Sequence, residues 1–90
     1  MRVISQDGTM DFSYEMSTIF IYGRIENAIA IQPVGDSEAS IIGRYSSEEK
    51  ATKAMEMLRE AWINEAIEFT HGIYHRNIVF QFPQDDEIEV

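Results

Sequence analysis

His71 and His75 stand four residues apart, and Glu68 lies three before His71. Glu68-x-x-His71 is half of the carboxylate–histidine pattern of a di-iron site, which needs a second copy on another helix. Gly72 also falls between the two histidines, where the helix of a zinc protease would have to continue. The pair therefore reads as two solvent-facing histidines in a loop, and no metal site is expected. Nucleophilic chemistry is equally thin. The chain has no cysteine, and none of Gly-x-Ser-x-Gly, Gly-x-Gly-x-x-Gly or Gly-x-x-x-x-Gly-Lys occurs in it. Glu65 stands out among the carboxylates because its helical phase falls between Leu58, Ala61 and Phe69. A glutamate snorkelling at the edge of an apolar stripe accounts for it better than a catalytic acid. The expectation is a protein without catalytic residues, metal or cofactor.

The elements that must position any other site follow from pattern. Arg2 to Ser5 reads as a short strand, and Gln6-Asp7-Gly8-Thr9 as the turn of a first hairpin. Ser17 to Tyr22 is β-branched and aromatic, Gly23 to Asn27 breaks it, and Ala28 to Gln32 alternates again, which predicts a second hairpin. Pro33 to Glu38 is a turn by composition, and Ala39 to Tyr45 a further strand. Ser46-Ser47-Glu48-Glu49 carries a helix start, read as a capping box of Ser with Glu three residues on. From there Ala51, Ala54, Met55, Leu58, Ala61, Trp62, Ala66 and Phe69 recur at three- and four-residue steps, predicting a long helix over 46–70 with Trp62 at the centre of its core stripe. Residues 77–82 form a last strand halted by Pro83, and 84–90 an acidic tail too short and polar to pack deeply. The fold class expected is α+β: an antiparallel meander of four to five strands over 1–45, one long helix across it, and a final strand after the helix.

Ninety residues enclose one core and make a single domain over 1–90. Absence of cysteine suits the reducing cytosol. No apolar run approaches the roughly 18 to 20 residues of a membrane span, and the first residues lack the apolar stretch of a signal peptide. An intracellular, cytoplasmic location is expected, with no membrane partner. The net charge is −9, and the seven Lys and Arg residues are spread along the chain. Nucleic-acid backbones are bound by clustered cations, so no nucleic acid is expected as partner. A small anion remains compatible if two or three arginines converge. On the helix, Arg59, Ile63 and Ile67 lie beyond Ala66 and widen the apolar arc past what one sheet needs, which predicts a contact surface for self-association.

Three runs in order carry a family likeness: Arg2 to Thr9 (RVISQDGT), Tyr45 to Ala51 (YSSEEKA) leading to Ala54 to Arg59 (AMEMLR), and Phe80 to Glu87 (FQFPQDDE). Together they cover about half the chain. They resemble a family of small phage and prophage proteins that includes the first-described Thoeris anti-defence sponges, which sequester cyclic nucleotide immune signals without degrading them. The resemblance implies a homo-oligomer built on dimers in an infected cell. Glycocyclic ADP-ribose signals would bind between subunits, and cyclic di- or trinucleotides at separate sites in some members. Arginines hold the phosphates there, and the matching positions are Arg59 and Arg76. Tyr74, preferred over Trp62 as the aromatic to stack on a base, and Asn77 beside Arg76 complete the expected ligand-binding set. The segment Glu68 to Arg76 departs from the family in being shorter.

The leading expectation is thus a non-enzymatic counter-defence protein that binds a cyclic nucleotide. Two rivals stand beside it: an acidic inhibitor that occupies a nucleic-acid-binding defence protein by charge mimicry, and an accessory phage protein with no ligand.

Overall fold

Asp7 shows how local chemistry sets the first hairpin. Its carboxylate accepts the hydroxyls of Ser5 and Thr9, both at 2.7 Å, and the Thr9 N–H at 3.0 Å. Gly8 follows at φ +77°, a conformation that suits glycine. The turn joins β1 (Arg2–Ile4) to β2 (Asp11–Ser13), paired antiparallel with Val3 opposite Phe12. The computed structural model describes residues 1–70 and 79–90, the side chains of residues 65–70 excepted.

The next strands are β3 (Ser17–Tyr22), β4 (Ala28–Pro33) and β5 (Ser40–Arg44), each within a residue of the span its composition predicts. They form an antiparallel meander in the order β3-β4-β5. Asn27, at φ 57°, turns the chain into β4, a role its short polar side chain tolerates. β4 is the spine: Ala28, Ile29, Ala30 and Ile31 have no exposure. Ile29 and Ile31 join the main core cluster, and strand alternation sends the two alanines to the other face. There Tyr22 and Phe20 stand opposite them on β3, their rings 6.2 Å apart. β5 carries a bulge. Ile29 pairs with Gly43 and Ala30 with Ile41, leaving Ile42 as the extra, buried residue.

α1 (Glu48–Thr70) follows, then β6 (Val79–Gln81) and a single 3₁₀ turn (Asp85–Glu87). The α+β class and the element order are as expected, including a strand after the helix. The strands, however, divide over two three-stranded sheets, the second ordered β2-β1-β6, and β6 lies parallel to β1. A crossover through a long helix permits a parallel neighbour that a tight hairpin could not supply. Residues 77 and 78 of the expected last strand lie outside the described residues. One cluster holds the fold together: Val3, Ile29, Ile31, Ile42 and Tyr45 from the strand half, Ala51, Ala54, Met55 and Leu58 from α1, and Phe82 and Ile88 from the end of the chain.

Two expectations need correction here. The tail does pack, since Ile88 is 5% exposed within the core and Lys50 reaches back to it, donating from Nζ to the Asp85 carbonyl (2.8 Å) and carboxylate (3.3 Å). The helix cap also differs from Ser46 with Glu49. Ser47 Oγ accepts the Lys50 N–H at 3.2 Å, and the Ser46 N–H donates to Asp85 Oδ1 at 2.8 Å. An aspartate distant in sequence thus supplies the acceptor that a capping-box glutamate would provide. These bonds, the Ser46 N–H first, hold the Asp85 carboxyl below its ordinary range.

Candidate functional site

Met55, Leu58, Arg59 and Trp62 follow one another at steps of three, one and three residues, so α1 presents all four on one flank. Ser17 and Ile19 of β3 face them, and Tyr14 and Glu15 close the side from the connection between β2 and β3. Together these residues line a groove of about 340 Å³. Its floor is apolar because Met55 and Leu58 belong to the core, with Ile19 packed against it.

Its walls are aromatic and charged. The Tyr14 and Trp62 rings lie 5.0 Å apart, tilted by 32°. Tyr14 is fixed by its backbone N–H, which donates to the Met1 carbonyl at 3.0 Å. Glu15 accepts the N-terminal ammonium at 2.7 Å, and this bond is the main reason its carboxyl sits below the ordinary range. The groove's carboxylate is therefore already neutralised by a cation. Arg59 is exposed, and no described side chain forms an ion pair with it. A guanidinium without an ion pair among the described residues, beside a partly open aromatic pair, can hold a phosphate in two-point contact while a planar ring lies on Trp62.

Trp62 is the main correction on the helix. It sits at the rim of the groove, 36% exposed, and not at the centre of the buried stripe. Among the described helix residues full burial ends at Leu58; Ala61 is half-buried and Ile63 is 54% exposed. Arg59 and Ile63 do lie on an open flank, while the Ile67 side chain lies outside the described residues. So do Tyr74, Arg76 and Asn77 of the expected ligand set, both histidines, and the side chains of Glu65 and Glu68. Of that set the structure places Arg59 alone. Sequence reasoning missed Tyr14, Glu15, Ser17 and Ile19 as its neighbours, because only the tertiary fold sets the β2–β3 connection against α1.

Two other cavities are less suited to an anion. The wider one, about 500 Å³ at the start of α1, is lined by Glu48, Glu49 and Glu56, and its Lys53 lies 3.9 Å from Glu56. The other, between the first turn and β5, measures about 140 Å³, too small for a nucleotide. No group of three or more His, Asp or Glu among the described residues is placed to hold a metal ion. No described helix is long and apolar enough to cross a membrane. Comparisons with protein families, with curated proteins and with solved structures return no match to this chain.

Proposed function

We propose that the protein binds a cyclic nucleotide immune signal without degrading it, as a phage counter-defence protein acting in the cytoplasm of the infected cell. The observation that carries this reading is the Arg59 guanidinium, which makes no ion pair among the described residues, next to the Tyr14–Trp62 pair in a groove with an apolar floor. The likeness to the Thoeris anti-defence sponges supports it from the sequence side. At about 340 Å³ the groove lies at the low end of the roughly 300–1,000 Å³ typical of ligand sites. It suits one nucleotide unit of a cyclic signal, the remainder resting on a second copy in a homo-oligomer. No catalytic step is assigned; the residues of the groove orient and hold.

The test is a thermal-shift screen against glycocyclic ADP-ribose and cyclic di- and trinucleotides, followed by titration of Arg59→Ala. Loss of a charge-assisted hydrogen bond should weaken binding by about 1.5 to 3 kcal/mol, with the free protein's melting temperature unchanged. Material released on denaturation should be chemically intact. Stabilisation by none of these ligands, or equal affinity in Arg59→Ala, would refute the reading. A second reading, charge mimicry, is favoured by the acidic mouth of Glu48, Glu49 and Glu56 together with exposed Asp86, Glu87 and Glu89. It calls for a basic macromolecular partner and leaves small nucleotides inert.

A further inference from the structure

Two of the outer edges of the sheets, β2 and β5, are protected against pairing with another chain. β2 is three residues long and carries Asp11, which binds Arg2 on β1. β5 is bulged, and Gln6 occupies its edge: the Gln6 N–H donates to the Ile42 carbonyl at 2.7 Å, and Gln6 Oε1 accepts the Arg44 N–H at 2.9 Å.

β3 has none of these devices. Its six residues, Ser-Thr-Ile-Phe-Ile-Tyr, contain no charge, proline or glycine, and its register with β4 runs without a bulge from Ser17 to Tyr22. The Val34 N–H donates to the Met16 carbonyl at 2.8 Å, marking a hydrogen-bonded pair just before the strand. Alternation then turns the N–H and C=O groups of Thr18, Phe20 and Tyr22 toward β4 and those of Ile19 and Ile21 outward. No strand among the described residues pairs with that outer edge. Ile21 itself is 46% exposed.

We propose that β3 is the interface of a two-fold homodimer, in which two β3 strands pair antiparallel and join the meanders into one six-stranded sheet. Charge selects a second copy as the occupant. The strand offers nothing to a charged partner segment, whereas β3 is itself a neutral apolar strand. Although each copy carries −9, the contact brings no like charges together. Glu15 precedes the strand and Arg24 follows it, so antiparallel pairing sets Arg24 of one copy near Glu15 of the other; parallel pairing would not. With Phe20 opposite its own counterpart, Ile19 meets Ile21 of the second copy, and the outward groups of both residues form about four backbone hydrogen bonds. Ser17 and Ile19 also line the Arg59 groove, so the axis brings two grooves to one side of the joined sheet.

This names the interface of the homo-oligomer in the reading above, yet it rests on the sheet edge and not on ligand binding. Light scattering coupled to size exclusion tests it. The unmodified protein should have the mass of a dimer, and Ile21→Lys or Thr18→Lys should raise the dimer dissociation constant at least about tenfold with unchanged circular dichroism. In this cysteine-free chain Phe20→Cys should give a disulfide-linked dimer on oxidation, and Val34→Cys, away from the edge, should not. A monomeric mass for the unmodified protein at millimolar concentration overturns the proposal. So does a dimer that tolerates both lysines and leaves Phe20→Cys uncrosslinked. Thermal shift by nucleotides is read separately, so either idea can fail while the other stands.

Discussion

Ile88→Ala is the perturbation that most directly tests the docking of the chain end. Ile88 is 5% exposed and belongs to the core cluster with Phe82 and Tyr45. The substitution removes three carbons, and about 0.8 kcal/mol per buried methylene gives roughly 2.4 kcal/mol before any cavity term. Full cavities raise such losses to about 2–5 kcal/mol, and with partial collapse of the site about 2–3 kcal/mol is expected. For a domain of this size each kcal/mol lowers the melting temperature by about 4–8 °C, giving a fall of roughly 10–20 °C. Val90→Ala is the control: Val90 is 69% exposed and should change stability by less than about 0.5 kcal/mol. Urea and thermal melts of the three proteins decide the matter. If Ile88→Ala matched Val90→Ala within about 0.5 kcal/mol, the tail would be a passive appendage and the core account above would be wrong.

Two further predictions concern titrating groups. Three hydrogen bonds lower the Asp7 carboxyl to about 2, the Ser5 hydroxyl first among them. A depressed folded-state value contributes stability that is complete above the unfolded carboxylate value and is lost as pH falls toward 2; Asp7→Asn should therefore flatten the urea midpoint between about pH 4 and pH 2. Burial, aided by Asp85 and Glu87, raises the Tyr45 phenol, whose hydroxyl donates to the Pro83 carbonyl at 2.8 Å. Tyr45→Phe should cost about 1 kcal/mol at neutral pH, and it should abolish the loss of stability that the wild type shows above about pH 10, where a raised phenol resists ionisation only when folded.

What could be read from the residues was local. Ser17 to Tyr22 and Ala28 to Gln32 declare themselves as strands through β-branched and aromatic alternation, and the glycine at position 8 fits its turn whatever the rest of the chain does. The start of α1 was legible to within two residues, yet its capping was not: the acceptor for the Ser46 N–H is Asp85, 39 positions away. No local pattern encodes that contact. Helical periodicity put Trp62 on the core stripe because Leu58 and Ala61 lie there too. It could not show that the main buried surface ends near Leu58, where the residue opposite becomes Tyr14 and the chain meets a groove. Arg59 could be singled out on its helix flank, but its neighbours in the groove belong to a distant connection.

A chain of net charge −9 that holds an anion must do so against its own field, and ionic strength separates the two contributions. The radius of gyration is 13.4 Å, so a phosphate bound at the surface lies about 15 Å from the mean charge. For a doubly charged ligand in water the repulsion is about 5 kcal/mol before screening, an upper limit because the charges are dispersed. The Debye length falls from about 30 Å at 0.01 M salt to about 8 Å at 0.15 M, which leaves about 3 and 0.8 kcal/mol of that repulsion respectively. The attraction to Arg59 acts at contact distance and is screened far less. Affinity for a cyclic nucleotide should accordingly strengthen, on the order of tenfold, as salt rises from 0.01 to 0.15 M, the reverse of the trend for a basic phosphate-binding surface. An acidic mimic bound to a basic partner would lose affinity over the same range. Titration calorimetry at the two salt concentrations measures the slope; nucleotide affinity that falls steeply with salt would mean that clustered cations, and not one guanidinium in an acidic protein, hold the ligand.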